Sequence, residues 1–264
     1  MSKVIAVVSI KGGVGKTSCV TNLGAAFVNT FNKKVLLIDA NFTAPNLGIH
    51  LGLTNPQNTI HDLLLGKTIN PKAVYTYEGM HFIPGSVRGK RIKPSKLKDK
   101  VEQFRNDYDI ILIDSSPNLT DEIIAAMTAS DELLIVTTPD YPTLSTTMRA
   151  VKVAHRKGAN IGGIILNRVK NKKFELSIAD IEDATKTIVL AVLPEDITVP
   201  ASIADTTPAI LHSPYSNISS EFNKLAACLI GAEFNDRRWL ARLKSMFSFG
   251  ISKEHVNRTL YKGR

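Results

Sequence analysis

The chain has 264 residues, 44 % of them hydrophobic, and a formal net charge of +9, which suits one large α/β domain with a substantial core plus a tail. Its two cysteines, Cys19 and Cys228, lie too far apart for metal-ligand spacing, which argues against a zinc or iron–sulfur centre and fits a reducing cytosol. No apolar run approaches the ~18 residues of a membrane span, and the positive charge points to an anionic partner, nucleic acid or an anionic membrane face.

The first element, Val4–Val8, is an apolar run that predicts a buried strand. With a glycine-rich loop so soon after Met1, no secretory leader is expected. After Ile10 comes Lys11-Gly12-Gly13-Val14-Gly15-Lys16-Thr17, and Ser18 to Asn29 predicts a helix. Strand, glycine-rich turn and helix N-terminus together make an anion site, with backbone N–H groups converging on one spot. In such a phosphate loop Lys16 reaches the β- and γ-phosphates and the Thr17 hydroxyl ligates Mg²⁺, which makes Gly12 to Ser18 the expected nucleotide cradle.

Val35-Leu36-Leu37-Ile38-Asp39 predicts a second strand ending in a carboxylate, followed by the loop Ala40 to Leu47. Asp39 sits where parallel α/β sheets place ligand chemistry, so it serves Mg²⁺ or caps the next turn. A short helix is expected at His61–Leu64 and a third strand at Met80–Ile83. His50, His61 and His81 are scattered singly and read as structural. Residues 86–101 carry seven basic side chains against the single acid Asp99. They form either a solvated face or an anion-facing patch, and the absence of aromatics weakens a single-stranded nucleic-acid reading.

Tyr108 to Asp114 predicts another strand closing on an Asp, followed by Ser115-Ser116-Pro117. It resembles a Walker B strand in which Asp114 holds a water on Mg²⁺ and Ser115 to Asn118 respond to nucleotide state. Further helices are expected at 121–130, 142–157, 174–187 and 214–230, and further strands at 132–138, 161–166 and 188–193. This alternation implies a mostly parallel sheet with helices on both faces.

Ile10 stands where the ordinary phosphate loop has its first glycine, and Lys11 adds a second lysine. The form Lys-Gly-Gly-Val-Gly-Lys-Thr resembles the deviant Walker A motif of the MinD/ParA ATPases, and residues 3–231 resemble the MinD branch. The resemblance implies a single P-loop NTPase domain, ATP and Mg²⁺ as cofactors, slow ATP hydrolysis and an ATP-dependent homodimer in which Lys11 reaches the partner's nucleotide. It also implies that Asn167 and the Pro194-Glu195-Asp196 turn read adenine, although Asn167 alone could cap a turn. Family members usually carry a second Asp two residues after the first. Here that position is Asn41, which can hydrogen-bond a water but cannot take its proton, so slow or absent hydrolysis is expected.

Residues 232–264 change character. As a helix, 236–249 places Trp239, Leu240, Leu243, Met246 and Phe247 on one face. Arg237, Arg238 and Arg242 lie on the other side. A terminal helix packed on the body or on a partner would show the same stripe. The basic polar face, with the basic amphipathic membrane-targeting helix that the resemblance implies, favours one lying in a membrane interface. Each basic residue near an anionic leaflet contributes ~1 kcal/mol, but ordering a short helix costs roughly 1–2 kcal/mol per residue, so one copy is expected to bind weakly and two on a dimer to gain avidity. The expectation is a cytoplasmic switch, peripheral to the inner face of the cell membrane, that positions division or polar machinery through a partner protein. A DNA-binding ParA-type role and a non-hydrolysing scaffold are the alternatives.

Overall fold

The computed structural model describes residues 2–87, 91–236 and 252–262. Its strands are β1 Lys3–Val8, β2 Val35–Ala40, β3 Tyr75–Tyr77, β4 Met80–Ile83, β5 Ile110–Ser115, β6 Glu132–Thr137, β7 Ile161–Val169 and β8 Val189–Pro194. They form one sheet in the order β3-β4-β2-β5-β1-β6-β7-β8. Every neighbouring pair is parallel except β3 with β4. The central strands are apolar without alternation because both faces are covered. Val4, Ala6, Leu36, Ile38, Ile111 and Ile113 enter one core, while Ile5, Val7, Leu37 and Leu112 enter the other.

The helices are α1 Lys16–Asn29, α2 Leu47–His50, α3 Ile60–Leu64, α4 Asn70–Ala73, α5 Leu97–Glu102, α6 Asp121–Ala129, α7 Tyr141–Arg156, α8 Ile178–Thr185, α9 Thr198–Ala204, α10 Ala209–His212, α11 Asn217–Leu229 and α12 Lys253–Lys262. Buried residues of α3, α5, α6, α7 and α8 fill the first core, and those of α1, α10, α11 and α12 the second. The chain leaves β1 for β2 on one side of the sheet and later fills β6 on the other. The crevice at that reversal lies at the carboxyl end of β1, which is where open α/β sheets bind ligands.

Several short helices, α2, α4, α5, α9 and α10, were not expected, and two other elements differ in an instructive way. β3 was not anticipated: three residues give no periodicity, and its signal is the Glu78-Gly79 turn, both residues at positive φ (45° and 78°), the geometry of a tight hairpin. Helix α8 starts at Ile178 rather than at 174, because Ser177 and Asp180 form a reciprocal capping box that fixes the first turn. Phe174 is left 79 % exposed.

For the basic extension after the amphipathic stretch the sequence does not decide between helix and disorder, and the structure has a helix there, α12. The stretch 237–251, which carries the expected membrane residues Arg237 to Phe247, lies outside the described residues, but the helix after it is packed onto the body. Asn257 Nδ2 donates to the Val189 carbonyl at 2.8 Å and to Glu182 Oε1 at 2.7 Å. Arg258 Nε donates to the Leu190 carbonyl at 2.7 Å and pairs with Glu221. Buried Tyr261 donates to Glu132 Oε2 and accepts from Lys3 Nζ at 2.8 Å. No described helix is long and apolar enough to cross a membrane.

Candidate functional site

The turn after β1 holds its shape through Gly13 and Gly15, at φ 75° and 98°. At Gly15 a side chain is excluded twice: the backbone is left-handed, and a Cβ would lie 2.3 Å from the Asn167 amide nitrogen. Asn167, at the end of β7, donates from Nδ2 to the Val14 carbonyl at 2.7 Å. It thereby ties the loop to the far strands.

Lys16 and Thr17 open α1. Lys16 is buried, and burial pulls its ammonium pKa down while the nearby Asp114 opposes the drop. The Thr17 hydroxyl donates to Asp114 Oδ2 at 2.6 Å. Asp114 Oδ1 is buried and has no hydrogen-bond partner among the described residues. Asp39 pairs in register with Asp114 at the ends of β2 and β5. Burial pushes both carboxyls up, and the charge of Asp114 pushes Asp39 further. Two buried carboxyls, one with an orphaned oxygen, beside a hydroxyl fit a divalent cation. Mg²⁺ characteristically takes few protein ligands and completes its shell with water and phosphate oxygens. Thr17 and Asp114 would hold it, with Asp39 beside them.

Asp39 also organises the loop that follows it. Its Oδ1 accepts the Asn41 N–H at 3.1 Å, and Oδ2 accepts the Asn46 and Leu47 N–H groups at 3.0 Å each. The Asn41 amide is spent inside the same loop: Nδ2 donates to the Ala44 carbonyl and Oδ1 accepts the Ala44 N–H. An aspartate could make only the second of these contacts.

Lys11 stands outside the cradle. Its ammonium contacts Asp140 Oδ1 at 3.3 Å and the Thr143 hydroxyl, both at the N-terminus of α7. The Ser115–Asn118 segment abuts the same loop, through the Asn118 N–H on the Ile10 carbonyl at 3.0 Å. Ser116 Oγ is buried without a partner among the described residues.

Beyond Gly15 and Ser18 a cleft of about 490 Å³ is lined by Asn167, Pro194, Glu195, Asp196, Ile203, Ile218 and Phe222. A second, of about 480 Å³, is lined by Lys11, Gly12, Gly13, Asp140, Arg168, Phe174 and Glu195. Sequence reading placed Gly12 to Ser18, Asp39, Asn41, Asp114, Asn167 and Pro194–Asp196 in one neighbourhood, and the fold gathers them there. It missed Asp140, Thr143, Arg168 and Phe222. Of these only Asp140 had a local signal, as the N-cap before Tyr141-Pro142.

A family model described as an AAA domain matches residues 2–160. An uncharacterised ATP-binding protein of Methanocaldococcus jannaschii is 34 % identical over 257 residues, 96 % of this chain and 95 % of its own length. The septum site-determining protein MinD of Thermotoga maritima is 33 % identical over 245 residues, 88 % of this chain and 89 % of its own. The solved structure of MinD from Pyrococcus horikoshii, complexed with Mg-ADP, superposes with a TM-score of 0.81 at 31 % identity, covering 92 % of this chain and 99 % of that one. Motif, fold and relatives agree: the chain belongs to the MinD/ParA family of P-loop ATPases.

Proposed function

We propose that this protein binds Mg-ATP in the cradle of Gly12 to Ser18, hydrolyses it slowly and dimerises in the ATP state. The observation that carries the reading is the orphaned Asp114 oxygen beside the Thr17 hydroxyl and the buried Lys16. That arrangement is ready for a cation and the phosphates it bridges. Asn167 and Pro194 to Asp196 would contact the base. Lys11, on the rim, would leave Asp140 to meet the partner subunit's nucleotide. The relatives' names include septum site-determining protein, which supports a role in division or in the placement of polar machinery through a partner protein. The dimer would hold two copies of the basic amphipathic stretch 237–247 against the inner face of the cell membrane.

The test is pelleting of the full chain with anionic liposomes in ATP and in ADP, beside Trp239→Glu and Lys16→Ala. Substitution is the right instrument, because truncation would also remove α12 from the body. Pelleting that needs ATP, Trp239 and Lys16 supports the switch. Normal ATP affinity in Lys16→Ala removes the site assignment. A second reading rests on Arg91, Lys93 and Lys96, exposed on the segment leading into α5, and on Lys98, exposed in its first turn. Duplex DNA bound there would be lost steeply with salt.

A further inference from the structure

His61, on α3, has no exposed surface. The Ser86 backbone N–H donates to its Nδ1 at 3.0 Å, and its Nε2 lies 3.0 Å from the Phe42 carbonyl oxygen. With Nδ1 accepting, the proton of the neutral ring sits on Nε2 and is donated to Phe42. The Phe42 ring meets the imidazole edge-on, centroids 5.6 Å apart. Phe42 lies in the loop whose N–H groups converge on Asp39. That loop is therefore held at two points, by the Asp39 carboxylate and by His61.

The strand end that supplies Ser86 is fitted to the same loop. The Ile60 N–H donates to the Pro84 carbonyl at 2.9 Å, which seats α3 on it. A Cβ at Gly85 would lie 2.3 Å from Pro45 Cβ and 3.5 Å from the Asp39 carboxyl carbon. Only glycine allows this approach.

We propose that His61 is a positioning residue for ATP hydrolysis: through the Phe42 carbonyl it fixes the 41–46 loop, and with it Asp39 and Asn41, against the phosphate site. The inference rests on the ATPase reading above. A histidine serving only the core would change stability without separating binding from turnover. One that sets the loop affects turnover, because a misplacement of about 1 Å costs on the order of 100-fold in rate.

The test compares the full chain with His61→Leu, His61→Gln and Gly85→Ala in three measurements: equilibrium ATP binding with Mg²⁺, single-turnover hydrolysis and backbone amide exchange. The Leu variant loses both ring contacts, whereas the Gln amide nitrogen can replace Nε2 as donor to Phe42. Expected are a fall in turnover of about 10- to 100-fold in His61→Leu and Gly85→Ala, unchanged ATP affinity, and recovery in His61→Gln. Amide exchange should quicken in 41–47 of the Leu variant and stay unchanged in α1. Native turnover in His61→Leu overturns the proposal, as does a joint loss of binding and turnover that Gln fails to rescue. If the native chain itself shows no hydrolysis, the ATPase reading fails. The exchange pattern then decides the role of His61 alone, and equal exchange of 41–47 in native and Leu chains overturns it.

Discussion

Lys11 and Asp140 lie 129 positions apart in the chain yet meet at 3.3 Å. Burial alone would raise the Asp140 carboxyl, but hydrogen bonds from Thr138, Thr143 and Lys11 hold it at about 2. A carboxylate depressed in the fold stabilises it at pH values above its ordinary pKa of about 3.9. That stabilisation is lost as pH falls toward about 2. Asp140→Asn, which keeps a capping side chain on α7, should therefore melt below the native protein at pH 7. The gap should close between pH of about 4 and about 2, as thermal unfolding across that range would report. At Asn41 the consequence is chemical. Asn41→Asp supplies a proton acceptor and gives up only the Nδ2 bond to the Ala44 carbonyl. Turnover should rise by up to about 100-fold, the low end of general-base effects, with ATP binding retained; an unchanged rate removes Asn41 from the mechanism. Lys16, Thr17 and Asp114 were legible in the sequence because their chemistry sits in contiguous motifs. The partners of Lys11 and His61 were not, because a salt bridge or a ring contact between distant segments leaves no local pattern.

At the scale of elements, the strands were legible from apolar runs and the long helices from periodicity and caps. α12 was not. Its hold on the body comes from Asn257, Arg258 and Tyr261 bonding to backbone carbonyls and buried carboxylates, and such contacts carry no hydrophobic signature. The Tyr261 hydroxyl joins Lys3 of β1 to Glu132 of β6. Tyr261→Phe removes that hydroxyl and leaves buried Glu132 short of a donor. The expected loss is about 1–3 kcal/mol, measured by urea unfolding, with ATP binding unaffected because the contact lies at the amino ends of the strands. A loss below about 0.5 kcal/mol would mean that Lys3 alone satisfies Glu132.

For the whole molecule, the sequence implied a parallel sheet but not its order, since which strands become neighbours is decided by long-range packing and the handedness of crossovers. The observed order leaves β3 and β8 outermost. β3 has three residues, too few to recruit another chain. β8 has six. Its Val189 is engaged from outside, the N–H by Glu182 and the carbonyl by Asn257. α12 thus occupies this part of the edge, and a bare, apolar edge strand would offer other copies a ladder to extend. Loss of the chain beyond Asp236 would do more than lower a melting temperature. It should turn a dispersed protein into one that grows by strand addition, seen as rising light scattering with protein concentration. A shortened chain that stays monodisperse at high concentration would show that Glu182 and the sheet's twist suffice.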